Sequence, residues 1–151
     1  MTVHDRLAEL GIELPSVAAA AGSYLPTVRT GNLLFTAGQL PFVDGKLPAT
    51  GRVGAEVSPE DAKAYARVAG LNLLAAVNAA VGLDAVERVV KVVGFVASAE
   101  GFTGQPGVVN GVSDLLAEVF GEAGRHARSA VGVAELPLGA PVEVEAILQV
   151  R

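Results

Sequence analysis

Residues 86–97, Val-Glu-Arg-Val-Val-Lys-Val-Val-Gly-Phe-Val-Ala, place β-branched residues at odd and even positions alike. A strand with one solvated face alternates apolar and polar residues, whereas a strand covered on both faces does not need to alternate. This segment therefore predicts a buried strand, which we take as the central strand of a sheet. The face turned away from covering helices would carry one of two apolar sets: Val89, Val93 and Phe95, or Val86, Val90 and Val92.

Two helices are predicted, one on each side of this strand in the sequence. Residues 58–61, Ser-Pro-Glu-Asp, combine a capping hydroxyl, a proline at the first helical position and acids in the first turn. The apolar residues that follow recur in steps of three and four until Gly82, so a helix is predicted from residue 59 up to this glycine. The second helix is predicted over residues 108–120, where the apolar stripe ends at Gly121.

Two further strands are predicted at residues 128–133 and 142–150, and we interpret them as an antiparallel pair joined by a turn. In this interpretation, one almost wholly apolar face lies under the helices: Ser129, Val131, Val133, Val142, Val144 and Ala146. The opposite face then carries a cation and two carboxylates: Arg128, Ala130, Gly132, Glu143, Glu145 and Ile147.

The remaining pattern predicts a short helix at residues 4–10, strands at 24–29 and 33–39, and a small hairpin at 42–47. Two main helices against about five or six strands predict one α+β domain over residues 1–151, with the helices on one face of the sheet. The other face would remain apolar and uncovered, which indicates a closed homo-oligomer with ligand clefts at its interface rim.

Composition excludes several classes of protein. The longest uncharged window, residues 68–83, is interrupted by two asparagines and is shorter than the roughly 18 apolar residues that a membrane span needs. Acidic residues near the N-terminus argue against a secretory signal, so we expect a cytoplasmic protein. The chain has no cysteine, and its two histidines show no metal-ligand spacing, so no metal or cofactor is predicted. A net charge of −5 and few aromatic residues argue against nucleic acid as a partner.

Five residues are candidates for chemistry, and each has a plainer explanation. Arg128 offers a planar fork for a carboxylate or phosphate, or it forms a structural ion pair with a nearby glutamate. Glu143 is a candidate general base if burial raises its pKa, or a paired strand acid. His126 would contact the same ligand or support its neighbours. Tyr24 would place a phenol in a cleft or pack as an ordinary interface tyrosine. Gly38 would allow close approach of a ligand to the backbone or serve only a turn.

Residues 128–137, Arg-Ser-Ala-Val-Gly-Val-Ala-Glu-Leu-Pro, together with 142–146, Val-Glu-Val-Glu-Ala, resemble the C-terminal signature of the RidA family, also known as the YjgF family. The resemblance continues through Asn110, residues 33–41 and residues 22–24. It covers roughly residues 15–150 and leaves residues 1–14 as an N-terminal helical extension. It implies a chorismate-mutase-like (YjgF-type) mixed α+β fold, a homotrimer and ligand clefts between subunits.

The resemblance also implies a reaction on small-molecule carboxylates. Members of this family hydrolyse reactive enamine/imine intermediates, such as 2-aminoacrylate and 2-iminopropanoate, to the 2-keto acid and ammonia without a cofactor. By resemblance, Arg128 holds the substrate carboxylate and Glu143 positions or activates water. Tyr24, the backbone of Gly38 and Asn110 are expected to shape the cleft.

Several positions depart from the family pattern. Ala37 replaces the usual serine before the strand-end glycine, and Ala130 replaces a cysteine that many members carry two residues after the arginine. Residues 121–127, Gly-Glu-Ala-Gly-Arg-His-Ala, resemble those of a longer subgroup whose substrate is not assigned. We therefore expect Ala130 and His126 to give the cleft its own ligand preference.

Two other functions compete with imine hydrolysis. One is a trimeric, non-catalytic module that binds small carboxylates or acts like a chaperone. The other follows from the family's endoribonuclease and translation-inhibitor labels, against which the acidic charge counts.

Overall fold

The computed structural model describes residues 1–17 and 22–151. The described part forms five strands and three α-helices. The strands are β1 (Thr27–Thr30), β2 (Leu33–Thr36), β3 (Val86–Ala97), β4 (Ala127–Val133) and β5 (Val142–Val150). The helices are α1 (Val3–Glu9), α2 (Pro59–Val81) and α3 (Gln105–Phe120), and short 3₁₀ turns cover Leu83–Ala85, Gly121–Gly124 and Pro137–Gly139.

Local sequence signals explain where the two long helices begin and end. The hydroxyl of Ser58 accepts a hydrogen bond from the backbone N–H of Asp61, so it caps α2 as predicted. Gly82 and Gly121 follow the last residues of α2 and α3 with φ of 78° and 63°, a conformation that favours glycine. The predicted central segment, residues 86–97, is β3.

The sheet is mixed, with the strand order β1-β2-β5-β3-β4. Strand β3 pairs in parallel with β4 and antiparallel with β5. The prediction that β4 and β5 form a direct pair is therefore wrong, although they run in opposite directions. The physical reason is that the backbone N–H and C=O groups of a buried strand need partners on both sides, and β3 obtains them from β4 and β5.

The register of these strands also corrects the predicted faces. Val92 is aligned with Arg128 on one side and with Ala146 on the other, and aligned residues project from the same face. The face that packs under the helices therefore holds Arg128, Ala130 and Gly132 together with Val142, Val144 and Ala146. The prediction for β5 is confirmed, and the prediction for β4 is wrong. Alternation fixes which residues of one strand share a face, but not how two separated strands are aligned.

Strand β3 contains irregularities that sequence alternation did not reveal. The register with β5 shifts between Val86 and Arg88 and again between Val89 and Lys91. As a result Val89 and Val92 are both buried. Neither of the two predicted apolar sets is intact, because a shift of one residue changes the face that each following side chain occupies.

Helices α2 and α3 pack on one face of the sheet around a single apolar cluster. A Cβ atom on Gly111 of α3 would lie 2.0 Å from the carbonyl oxygen of Lys63 in α2, so the two helices touch through their backbones. Helix α2 has the length and apolar composition of a membrane span, but half of its most apolar window is buried inside this domain. Its apolar side is therefore explained by packing in the core.

The other face of the sheet has no helix among the described residues. Val28, Phe35 and Val131 are 54%, 40% and 42% exposed, and Val93 and Phe95 are half-buried between them. We call this surface the open face. It agrees with the expectation that helices cover only one side of the sheet.

Candidate active site

The guanidinium of Arg128 is held between the edge strand β4 and helix α3. Its Nη1 donates to Asn110 Oδ1 at 2.8 Å and to Ser113 Oγ at 3.1 Å. Its Nη2 donates to the carbonyl oxygen of Pro106 at 3.2 Å. All three acceptors are neutral, and no ion pair to Arg128 occurs within residues 1–17 and 22–151. The structural ion pair considered from the sequence is therefore not formed in this part of the chain.

The unused donors of Arg128 form a fork. A guanidinium has five N–H groups, and both hydrogens of Nη1 and one of Nη2 are engaged. For the Nε–H and the second hydrogen of Nη2, no acceptor is found among the residues that the structure describes. A pair of adjacent N–H groups is the arrangement that binds a carboxylate through two parallel hydrogen bonds.

His126 lies beside this group and is half-buried. Its Nδ1 is 2.6 Å from the carbonyl oxygen of Gly124, and its Nε2 is 2.9 Å from Ser113 Oγ. Ser113 therefore contacts both His126 and Arg128. His126 was predicted to contact the same ligand as Arg128, and the family resemblance implied that Asn110 shapes the cleft; the structure brings all three residues together.

A groove of about 500 Å³ runs beside these residues, between α3 and the segment that leads into β4. Seven of the nine residues that line it are polar or charged: Asn110, Ser113, Asp114, Ala117, Gly121, Glu122, Arg125, His126 and Arg128. Ala130 lies on the same side of the sheet, aligned with Gly94 and packed against the core. We call Arg128, Asn110, Ser113, His126 and Ala130 the arginine half-site.

Glu143 lies on the open face, in the middle of the sheet. It is half-buried, and no hydrogen-bond donor to its carboxylate is found among the described residues. Burial, and then the charge of Glu145 on the same face, raise the pKa of the Glu143 carboxyl. Such a group holds its proton more tightly than an ordinary glutamate does, which suits it to acid–base chemistry.

Gly38 is in close contact with the Glu143 side chain. A Cβ atom at residue 38 would lie 2.5 Å from Glu143 Oε2. The contact is fixed by the next residue, because Gln39 exchanges two backbone hydrogen bonds with Val144 of β5. The glycine predicted from the sequence to allow close approach is thus next to the carboxylate predicted to act on water.

Tyr24 lies in the segment that leads into β1 and is 49% exposed. The pairing of β1 with β2 continues to Ala37, whose N–H donates to the carbonyl oxygen of Pro26 at 2.8 Å. This pairing carries the chain toward Gly38 and away from the β4 edge. We call Gly38 and Glu143, which are in contact, the glutamate half-site.

The two half-sites are far apart in one chain. Glu143 is aligned with Phe95, and Phe95 with Val131, so two strand spacings separate Glu143 from β4. Arg128 lies three residues before Val131, which gives a Cα–Cα separation of about 14 Å between Glu143 and Arg128. Their side chains also project from opposite faces. One chain does not bring both groups to the same small molecule.

Sequence reasoning missed two partners of Arg128, the hydroxyl of Ser113 and the carbonyl of Pro106. Ser113 is not among the candidates that the sequence predicted. Its spacing of three from Asn110 was an available signal, because residues three apart share one side of a helix. No cluster of three His, Asp or Glu side chains suitable for a metal ion occurs among the residues that the structure describes.

Comparison with known proteins gives a consistent picture. Residues 4–146 match the family described as "YjgF/chorismate_mutase-like, putative endoribonuclease". The chain is 48% identical over 151 residues to "Protein TCP17" of Trypanosoma cruzi, covering 99% of this chain and 94% of that protein. It is 32% identical over 140 residues to "Putative reactive intermediate deaminase TdcF" of Escherichia coli, covering 90% and 93% of the two chains.

Solved structures share the fold. A protein of unknown function from Agrobacterium tumefaciens, 46% identical, superposes with a TM-score of 0.91 over 99% of this chain and 92% of its own. Escherichia coli TdcF with bound serine, 29% identical, has a TM-score of 0.63 over 89% and 93% of the two chains.

Proposed function

Because this chain belongs to the YjgF/chorismate mutase-like family, as its C-terminal signature predicted, we propose that it hydrolyses small 2-imino acids to 2-keto acids and ammonia. The observation that carries the proposal is the Arg128 fork, which is fixed by neutral acceptors and has two N–H groups with no acceptor within residues 1–17 and 22–151. The reaction class draws support from the relative named as a reactive intermediate deaminase. The structure of that protein contains serine, an amino acid of similar size to the proposed substrates.

The catalytic site is shared between subunits in this proposal. Glu143 and Arg128 project from opposite faces of one chain, so a complete site needs the arginine half-site of one subunit and the glutamate half-site of its neighbour. The open face supplies an apolar surface of the kind that subunit interfaces bury. We take the assembly to be a homotrimer on the strength of the family resemblance, and its location to be cytoplasmic.

Each half-site has a defined part in the reaction. Arg128 binds the substrate carboxylate and fixes the position of the C=N carbon. The carboxylate of Glu143 from the adjacent subunit accepts a proton from water as the water oxygen attacks that carbon. Glu143 passes this proton to the nitrogen, which gives a tetrahedral intermediate with a hydroxyl and an amino group on the same carbon. The same carboxylate then moves the hydroxyl proton to the nitrogen as the C–N bond breaks, so that ammonia and the 2-keto acid leave. One water is consumed for each imine, and no cofactor takes part.

The raised pKa of Glu143 determines how the reaction depends on pH. The group acts as a base only when it is ionised, so the rate should fall as the pH drops through its pKa. Because burial and Glu145 raise that pKa, the fall should begin at a higher pH than an ordinary glutamate would give. Glu145→Gln should shift the fall toward lower pH, since it removes the repelling charge.

The test is imine hydrolysis in competition with a scavenger. Imines are generated in situ from alanine and from amino acids with longer polar side chains, because the groove beside Arg128 has room for more than a methyl group. Wild type should accelerate formation of the 2-keto acid, and Arg128→Ala and Glu143→Ala should lose the acceleration. Lys46→Ala, which removes an exposed cation from the turn at residues 43–46, is the control and should match wild type.

The outcomes separate the competing functions. If wild type accelerates no imine, the proposal is wrong. Binding of pyruvate without any turnover would then favour a carboxylate-binding module. Cleavage of RNA by the same preparation, lost in Arg128→Ala, would instead favour the endoribonuclease function.

A further inference from the structure

We propose that His126 is a positioning residue that sets the orientation of Arg128 through the hydroxyl of Ser113. The inference rests on the proposed function, because it assigns a task to a residue beside the substrate-binding arginine. It concerns a contact that the family signature does not include, since His126 belongs to the run at residues 121–127.

The first step is the tautomer of His126. The carbonyl oxygen of Gly124, 2.6 Å from Nδ1, can only accept a hydrogen bond. Nδ1 must therefore carry a proton. In the neutral imidazole, Nε2 is then left with a lone pair and can accept a hydrogen bond from Ser113.

The second step is the direction of the Ser113 hydroxyl. This group has one hydrogen, and Nε2 of His126, 2.9 Å away, accepts it. The lone pairs of Oγ are then free to accept from Nη1 of Arg128 at 3.1 Å. Without His126 the hydroxyl hydrogen has no fixed partner in this contact, and it can rotate toward the guanidinium, where two donors would face each other.

The third step is the effect on the Arg128 fork, the pair of N–H groups proposed to bind the substrate carboxylate. Asn110 and Ser113 engage both hydrogens of Nη1, so together they fix the plane of the guanidinium. The fork that remains lies in the same plane. A carboxylate held by two parallel bonds depends on that plane, because a misaligned fork loses one of the two bonds.

The carbonyl group of Gly124, to which His126 is bonded, is held rigidly. Gly124 ends the Gly121–Gly124 turn and is buried against α3, where an added Cβ would lie 2.0 Å from the carbonyl oxygen of Leu116. The turn therefore cannot move independently of the helix that carries Ser113. The carbonyl of Gly124 is held at a fixed place relative to the hydroxyl that His126 orients.

Two substitutions of His126 distinguish positioning from simple packing. In His126→Gln, the side-chain oxygen can replace Nε2 as the acceptor for Ser113, whereas in His126→Asn the shorter amide can replace only Nδ1 as the donor to Gly124. If His126 acts through Ser113, His126→Asn should raise KM for imino acids about tenfold with little change in kcat. His126→Gln should stay within about threefold of wild type. If His126 served only to hold the Gly121–Gly124 turn, His126→Gln would raise KM more than His126→Asn.

A second comparison tests whether Ser113 is the intermediary. In a Ser113→Ala background, His126→Asn should add less than about twofold to KM, because the contact that it acts on is already gone. Full additivity of the two effects would overturn the proposal. Lys46→Ala, an exposed change outside both half-sites, is the control and should leave KM unchanged in either background.

A spectroscopic measurement makes the result independent of catalysis. The chain has two histidines, so ¹⁵N imidazole spectra of wild type and His4→Gln assign His126 directly. The proposal requires protonated Nδ1 and unprotonated Nε2 at neutral pH, and the opposite tautomer would overturn it.

Pyruvate serves as the ligand for binding titrations of the same variants. If wild type and His126→Gln bind pyruvate more tightly than His126→Asn and the tautomer is as required, positioning stands even where no imine is hydrolysed. In that case only the proposed reaction fails.

Discussion

Co-expression of Arg128→Ala and Glu143→Gln chains in one cell should restore activity that neither variant has alone. Each variant lacks one half-site and keeps the other intact. In the structure the two residues project from opposite faces, with about 14 Å between their Cα atoms. A mixed oligomer therefore contains some interfaces at which an intact arginine half-site meets an intact glutamate half-site.

The size of the effect follows from counting interfaces. In a closed oligomer each shared site takes its arginine from one subunit and its glutamate from the next. With equal amounts of the two variants and random assembly, each requirement is met in about half of the cases, so about one quarter of all sites are complete. In a trimer each mixed oligomer has one complete site of three, so purified mixed trimers should have about one third of the wild-type activity. If both groups served the same chain's own site, every site would lack one of them and no activity would return.

The assay uses two affinity tags, one on each variant, so that only mixed oligomers are purified. Native mass spectrometry gives their composition, and release of the 2-keto acid gives their activity. Co-expression of Arg128→Ala with Asn110→Ala is the matched control, because both changes damage the same half-site and should not complement each other. Mixed oligomers of confirmed composition that are no more active than their parents would refute the shared site.

Three further predictions follow from single contacts. Gly38→Ala should lower kcat severalfold with near-normal melting temperature, because the new Cβ would displace the Glu143 carboxylate 2.5 Å away; unchanged kcat would contradict the close contact. Glu143→Gln should raise the melting temperature at about pH 8 and not at about pH 4. The raised pKa means that folding favours the protonated acid, so the contribution of Glu143 to stability is greatest below the ordinary pKa of 4.5 and is lost as the pH rises through the raised pKa. A difference in melting temperature between Glu143→Gln and wild type that does not vary with pH would argue against burial as the cause. Gly111→Ala should reduce the free energy of unfolding in urea by at least about 2 kcal/mol, because its Cβ would meet the Lys63 carbonyl oxygen at 2.0 Å. Gly107→Ala in the same helix, where a Cβ meets nothing within 4 Å, is the control and should not destabilise.

The elements of this fold were accessible from local sequence, and their arrangement was not. Residues 86–97 and the capping sequence at residue 58 predicted β3 and α2 because burial and capping act on residues close together in the chain. The neighbour of β5 depends instead on pairing between segments that lie far apart in the chain. Here β3 takes the place that the sequence interpretation gave to β4.

The same holds for the candidate site: its residues were predicted from the sequence, but their relative placement was not. Arg128 and Glu143 were chosen for their chemistry and for the family resemblance, and the structure gives each an environment that suits the role. Their relative placement depended on a register that alternation cannot supply, so the predicted common face was wrong. The spacing of three between Ser113 and Asn110 shows only that the two share one side of a helix. The importance of Ser113 appears only when β4 brings Arg128 beside it.

The separation of the two charges has a chemical consequence of its own. An arginine and a glutamate within reach of each other in one chain would form an ion pair, which would occupy the fork and lower the pKa of the acid. In this chain Arg128 is bonded only to neutral acceptors among the described residues, and the pKa of Glu143 is raised. Both groups therefore keep their reactivity in the separate chain. In the proposed assembly they meet only across the interface, where the substrate carboxylate binds the arginine and water lies next to the glutamate.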